Sequence, residues 1–187
     1  MLLNASLNGK DGNTAVLLEK VSAYLGRRAH LIPMDWNRDS QFEQIVPCLQ
    51  KADAIIIGTG THWDSWSHSL QYFLELATPT EGSDLWLGKP AGVVVSMHSV
   101  GGKGVLSRLQ GVLNTFGCLI PPMSGVVCSL VNEAAIESKH PMASDLWSID
   151  DLDILCHNVL TALKPRPRYK AWPVDRIHYS DKWVKVR

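Results

Sequence analysis

Two hydrophobic periods alternate along this chain, and each switch between them marks an element. Leu2, Leu3, Asn4 and Ala5 form a short strand-like run that opens into a polar, glycine-rich stretch. Over residues 13–26, Ala15, Leu17, Leu18, Val21 and Leu25 recur at helical spacing. Residues 29–34 predict a second strand ended by a polar loop, and residues 40–51 a second helix. Residues 52–59, with Ile55, Ile56 and Ile57 in succession, read as a strand covered on both faces. A helix over 67–77 sets Leu70, Phe73, Leu74 and Ala77 on one side. Residues 91–97 predict a fourth strand, and 104–116 a helix that Gly117 stops. Residues 118–120 and 125–129 form a fifth strand region interrupted by Pro121 and Pro122, and a last helix is expected over 146–163.

Strand and helix alternating in this way predict an α/β fold, an open, doubly wound parallel sheet of five strands with helices on both faces. A chain of 187 residues suits one domain with a substantial core. We place that domain at residues 1–163 and treat 164–187 as an arm, extended by Pro165, Pro167 and Pro173. Tyr169, Trp172, Tyr179 and Trp183 are too many aromatics for a solvated tail, so the arm is expected to serve subunit association.

Formal charge balances to zero, which gives no electrostatic footprint for a nucleic-acid partner. The balance is uneven, because the arm carries eight Lys or Arg against Asp175 and Asp181 and leaves the body net acidic. Cys48, Cys118, Cys128 and Cys156 contain no CxxC pair and read as reduced, mostly buried thiols of a cytoplasmic protein. The start of the chain has no basic stretch followed by a long apolar run, so neither a signal peptide nor a membrane association is expected.

In an open parallel sheet, ligands bind beyond the carboxyl ends of the strands. Three donor-rich loops are predicted there, at residues 6–14, 59–67 and 97–103. In the first, Ser6, Asn8, Asn13 and Thr14 supply side-chain donors, and Gly9 and Gly12 let the backbone curl around a bound group. The loop opens a helix whose free N–H groups and dipole favour an anion such as phosphate. The same residue types also build ordinary turns and N-caps. In the second loop, Trp63 and Trp66 offer flat faces for stacking, though either would serve equally to cover a core edge. The third, with Ser99, Gly101 and Gly102, presents consecutive N–H groups suited to developing negative charge such as that of a reduced flavin, though the same residues also make a plain glycine-rich turn.

Other chemistries lack their signatures. Residues 58–63 miss the last glycine of GxGxxG, and neither GxxxxGK[ST] nor GxSxG occurs. His62, His68 and His98 have no Cys or carboxylate partners at ligand spacing, so no metal is expected.

Residues 5–14, Ala-Ser-Leu-Asn-Gly-Lys-Asp-Gly-Asn-Thr, resemble the phosphate loop of the NADPH-dependent FMN reductase family, usually written GSPRxxGNT. The strand at 55–59 with residues 61–75 resembles that family's second signature, roughly TPxYxGSxSGxLKxFLDR. Residues 96–102 stand where its glycine-rich third loop would be. The resemblance spans roughly residues 1–130 and implies a flavodoxin-like fold that binds FMN non-covalently. It implies that Ser6, Asn8, Asn13 and Thr14 hold the phosphate. Thr61, His62, Trp63 and Asp64, with Ser96, Met97, His98, Ser99, Gly101 and Gly102, would contact the ring and ribityl chain. The implied activity is hydride transfer from NAD(P)H through FMN to a small acceptor such as a flavin or quinone, without a side-chain nucleophile, in a homodimer or homotetramer. The chain departs from the pattern at Ala5 (Gly in the family), Asn8 (Arg), Gly60 (Pro), His62 (Tyr), and Asp64 and His68 (both Gly). Two alternatives share the fold, a flavodoxin-type electron carrier and a flavin-free binding module.

Overall fold

Each strand but the edge strand β2 is buried along nearly its whole length, as the continuous apolar runs require of a parallel sheet sandwiched between helices. The computed structural model describes residues 1–33, 41–164, 167–178 and 180–181. Strands β1 (Leu2–Asn4), β2 (Leu31–Pro33), β3 (Ile55–Gly60), β4 (Ala91–Met97) and β5 (Gly125–Ser129) form one parallel sheet in the order β2-β1-β3-β4-β5. The chain winds from β1 outward to β2, then returns across β1 to β3, so the winding reverses between β1 and β3. That reversal opens a crevice at the carboxyl ends of these two strands.

Six helices are present among the described residues: α1 (Asn13–Leu25), α2 (Gln41–Lys51), α3 (His68–Ala77), α4 (Gly102–Phe116), α5 (Leu130–Glu137) and α6 (Asp151–Thr161). Because strand side chains alternate, the sheet divides the interior into two cores. Leu3, Ile55, Ile57, Val93, Val95 and Val127 pack with α2, α3 and α4 through Leu49, Leu70, Phe73, Leu109 and Leu113. Leu2, Ile56, Val94 and Val126 pack on the other face with Leu17, Leu18 and Val21 of α1 and Leu152, Leu155 and Val159 of α6. At one point α1 touches the sheet backbone itself. A Cβ at Gly58 would lie 2.7 Å from both Thr14 Cγ2 and Leu18 Cδ1, so the head of α1 rests directly on β3.

Several elements differ from expectation. The expected strand at 29–34 contracts to β2, while Met34, the polar loop after it and Ser40 lie outside the described residues. Residues 118–120 contribute a single bridge, Leu119 with Pro90, instead of a strand. The last helix starts at Asp151, where the Asp151 carboxylate accepts the Ser148 N–H at 2.7 Å and the chain turns before it. Helix α5 was not anticipated. It is capped by Ser129, whose hydroxyl accepts from Asn132 N–H at 3.0 Å, but its Leu130 and Val131 are exposed, so it shows no apolar face to read. Trp86 was likewise missed as a core residue, yet it is fully buried, 6.2 Å from Phe73 and 5.1 Å from Phe116 between ring centroids.

The arm lies on its own chain. Trp172 Nε1 donates to Glu81 at 2.7 Å, and Arg176 donates to the Pro79 and Glu81 carbonyls at 3.2 and 3.0 Å. These contacts strap residues 167–178 to the segment before β4, at the amino end of the sheet. Pro165, Tyr179 and Trp183 lie outside the described residues. Cys118, Cys128 and Cys156 are buried free thiols, and burial pushes each of their pKa values up to about 12. Among the described residues, no helix is long and apolar enough to cross a membrane.

Candidate functional site

The first loop is organised by Asn4, the buried last residue of β1. Its Nδ2 donates to the Gly9 carbonyl at 2.9 Å, and its Oδ1 accepts from the Ser6 N–H at 3.2 Å and hydroxyl at 2.8 Å. Ser6 is thereby committed to the turn. The loop then enters α1 at Gly12, where no side chain caps the helix, so the leading backbone N–H groups remain for a ligand. Thr14 is buried on the first turn and its hydroxyl lies 2.8 Å from that of Ser96 on β4. One of the two hydroxyls donates to the other, and the accepting partner keeps a hydrogen to offer.

The second loop is stitched to the first at its base. Ser67 caps α3, accepting from Leu70 N–H at 3.2 Å, and donates its hydroxyl to the Ala5 carbonyl. Thr61 N–H donates to the Ser96 carbonyl at 2.9 Å. Residues 62–65 then fold into a tight hairpin, with His62 and Ser65 exchanging backbone bonds of 2.8 and 2.9 Å. Trp63 and Asp64 at its tip adopt left-handed φ values of 48° and 57°, the twist that two-residue hairpins require and that bulky side chains resist. The Trp63 ring is fully exposed. Trp66 instead packs against the core edge and donates its Nε1 to Gln71 at 2.9 Å.

The third loop follows β4. The His98 carbonyl accepts from Val131 N–H at 3.1 Å, which ties the loop to α5, and Gly102 N–H lies 3.2 Å from Met97 Sδ. Gly101 has φ +87°, and the Asp64 carboxylate fills the space that a Cβ there would occupy. The second and third loops therefore meet at Asp64 and Gly101.

Together the loops enclose a cleft of about 650 Å³ at the winding reversal. Its lining brings together Ser6, Asn8, Asn13, Thr14, Thr61, His62, Trp63, Asp64, Ser96, Met97, His98 and Ser99. Gly101 and Gly102, the other two expected residues, are not part of that lining and stand at the head of α4. Gly12 and Val100 of the expected loops also line it, as do Leu7 and Gly60, which were not anticipated. Neither was Arg108 of α4, which donates Nη2 to the Asp64 carbonyl. The lining contains no Lys or Arg, so helix N–H groups, amides, hydroxyls and the imidazoles of His62 and His98 are the donors available to an anion. Thr61 Oγ1, buried in the wall without a hydrogen-bond partner, fits a polar ligand group that would satisfy it.

Solved structures with this architecture include several flavoproteins. The chain matches RosB with bound 8-demethyl-8-formylriboflavin-5'-phosphate at a TM-score of 0.69 and 15% identity, over 87% of this chain and 77% of that one. It matches FerB, the flavoenzyme NAD(P)H:(acceptor) oxidoreductase of Paracoccus denitrificans, at 0.60 and 17% identity, over 86% and 96%. It matches the flavodoxin, WrbA-like protein of Agrobacterium tumefaciens at 0.62 and 19% identity, over 86% and 95%. Likeness at such identities establishes a shared flavodoxin-like fold. No curated protein matches the sequence significantly. The sequence profile described as NADPH-dependent FMN reductase matches residues 1–132, which contain all three loops of the cleft, and the chain therefore belongs to the NADPH-dependent FMN reductase family.

Proposed function

We propose that this cleft binds FMN and that the protein is an NAD(P)H-dependent oxidoreductase delivering hydride to a small acceptor such as a flavin or quinone. The observation that carries the reading is the convergence of the three loops on one cleft beside the uncapped head of α1. When bound, FMN supplies the hydride exchange between nicotinamide and acceptor. The chain supplies position and electrostatics. The α1 N–H groups with Asn8, Asn13 and the Thr14–Ser96 hydroxyl pair would hold the phosphate, and Thr61 Oγ1 would gain the partner it lacks. The third-loop backbone, placed at the head of α4, favours negative charge on the neighbouring ring. Leu7, Trp63 and Val100, all exposed on the cleft wall, leave an apolar, open approach for a flat acceptor.

The test is an absorption spectrum of the purified protein followed by FMN titration. Flavin bands that survive desalting support the reading, as does NADH or NADPH oxidation coupled to a quinone. Replacing Asn13 and Thr14 together by Ala should weaken FMN by about two to four orders of magnitude, since hydrogen bonds to charged phosphate are worth about 1.5–3 kcal/mol each. A wild type without affinity for FMN rejects the reading, and tight FMN binding without NAD(P)H oxidation favours an electron carrier.

A further inference from the structure

The hairpin that forms one wall of the cleft is held from outside by a residue that does not line it. Arg108 sits on the second turn of α4, facing the hairpin. Its Nη2 donates to the Asp64 carbonyl at the hairpin tip, its Nε lies 3.3 Å from the Gly104 carbonyl of its own helix, and its guanidinium carbon stands 5.2 Å from the centre of the Trp66 ring. One planar cation thus touches the tip of the hairpin, its exit at Trp66 and the head of α4. Guanidinium geometry suits this task, because its donors leave the plane's edge while its face lies on an aromatic ring.

The hairpin needs such a hold. It contains two backbone bonds of its own, and its tip keeps Trp63 and Asp64 at positive φ, where side-chain-bearing residues are disfavoured. Trp63 is solvated and contributes no packing in return. Asp64 gives a second point of attachment by pressing its carboxylate against Gly101. From these contacts we infer that Arg108 is a positioning residue of the cleft, clamping the 62–65 hairpin to α4 so that His62, Trp63 and Asp64 form a fixed wall. The inference rests on the cleft being the flavin site only in its consequence, a longer residence of FMN.

Two measurements on the full-length protein separate these claims. The first is amide hydrogen exchange at His62 and Ser65, before and after saturating FMN, in wild type, Arg108→Met and Arg108→Lys. Met keeps an unbranched stem and loses every donor, whereas Lys keeps the charge and one possible bond to the Asp64 carbonyl. Protection of these two amides should fall about tenfold in Arg108→Met and be partly restored in Arg108→Lys, with β4 amides unchanged. Unaltered exchange at His62 and Ser65, or an equal loss throughout β4, overturns the clamp. The second is FMN dissociation by stopped flow, where release from Arg108→Met should be about tenfold faster. Normal release despite a loosened hairpin overturns the link between clamp and cleft. A wild type that takes up no FMN instead sinks the flavin reading, and the exchange data then decide the clamp alone. Should Arg108→Met fail to fold, Arg108→Lys carries both measurements, with a smaller loss expected.

Discussion

Thr14 of α1 and Ser96 of β4, separated by 82 residues in the chain, hold their hydroxyl oxygens 2.8 Å apart and join the first loop to the third. Thr14→Val keeps the shape and deletes the bond, at an expected cost of about 1 kcal/mol in urea unfolding. Ser96→Ala should cost less in the Thr14→Val background than in wild type, because the shared bond is already gone. Strictly additive costs would show that the two hydroxyls are independent.

Trp63 and Trp66 should separate cleanly by spectroscopy. Trp63 is exposed on the cleft wall, so Trp63→Leu should remove a large share of the tryptophan quenching on FMN addition and weaken FMN several-fold, as a stacked contact of about 0.5–1.5 kcal/mol implies. Its folding stability should stay within about 0.5 kcal/mol of wild type. Trp66 packs on the core edge and bonds Gln71, so Trp66→Leu should lower Tm and leave the quench in place. The reverse pattern would exchange the two roles.

The arm is expected to act as a strap on its own subunit. Trp172→Ala removes the 2.7 Å bond to Glu81 and should lower Tm by a few degrees, corresponding to about 1 kcal/mol. FMN affinity should not change, since Pro79 and Glu81 lie at the amino end of the sheet and the cleft at the carboxyl end. Light scattering on a chain ending at Leu163 tests the separate expectation that the arm joins subunits. An unchanged particle mass, counted in subunits, rejects it.

Alkaline pH should destabilise the fold through its thiols. Cys118, Cys128 and Cys156 have pKa values raised to about 12 by burial, above the ordinary thiol value of about 8.5. Between those values the unfolded chain has released protons that the native state retains, so unfolding becomes easier as pH rises. The contribution is complete below about pH 8.5 and is lost on the way to pH 12. Urea midpoints that fall from pH 8.5 to 10.5, and fall less in Cys118→Ala, are expected. Flat midpoints contradict the assignment. Native labelling at pH 8 should reach Cys48, the partly exposed thiol, well before the other three.

The sheet was legible because burial on two faces writes itself as continuous apolar runs, most plainly at Ile55–Ile57 and Val93–Val95. The three loops were legible because their residue types are those that expose backbone donors, and twelve of the residues expected from them share one cleft. What escaped the sequence was written in tertiary contacts. Trp86 is buried by Phe73 and Phe116, which lie on two different helices, so no local period announces it. Helix α5 shows solvent its Leu130 and Val131, so the usual apolar stripe is missing. Arg108 reads as one more solvated charge on α4, and only the fold brings it to the Asp64 carbonyl.

The bare backbone at Gly58 has a bearing on how this site tolerates change. Since Thr14 and Leu18 rest on that glycine, the height of the α1 head above the sheet is dictated from below, by the interior, and not by the loop that leads into it. The side chain at Asn8 can therefore differ from the family's Arg while the main-chain donors that follow it keep their address. Enlarging Gly58 itself would shift the whole address at once.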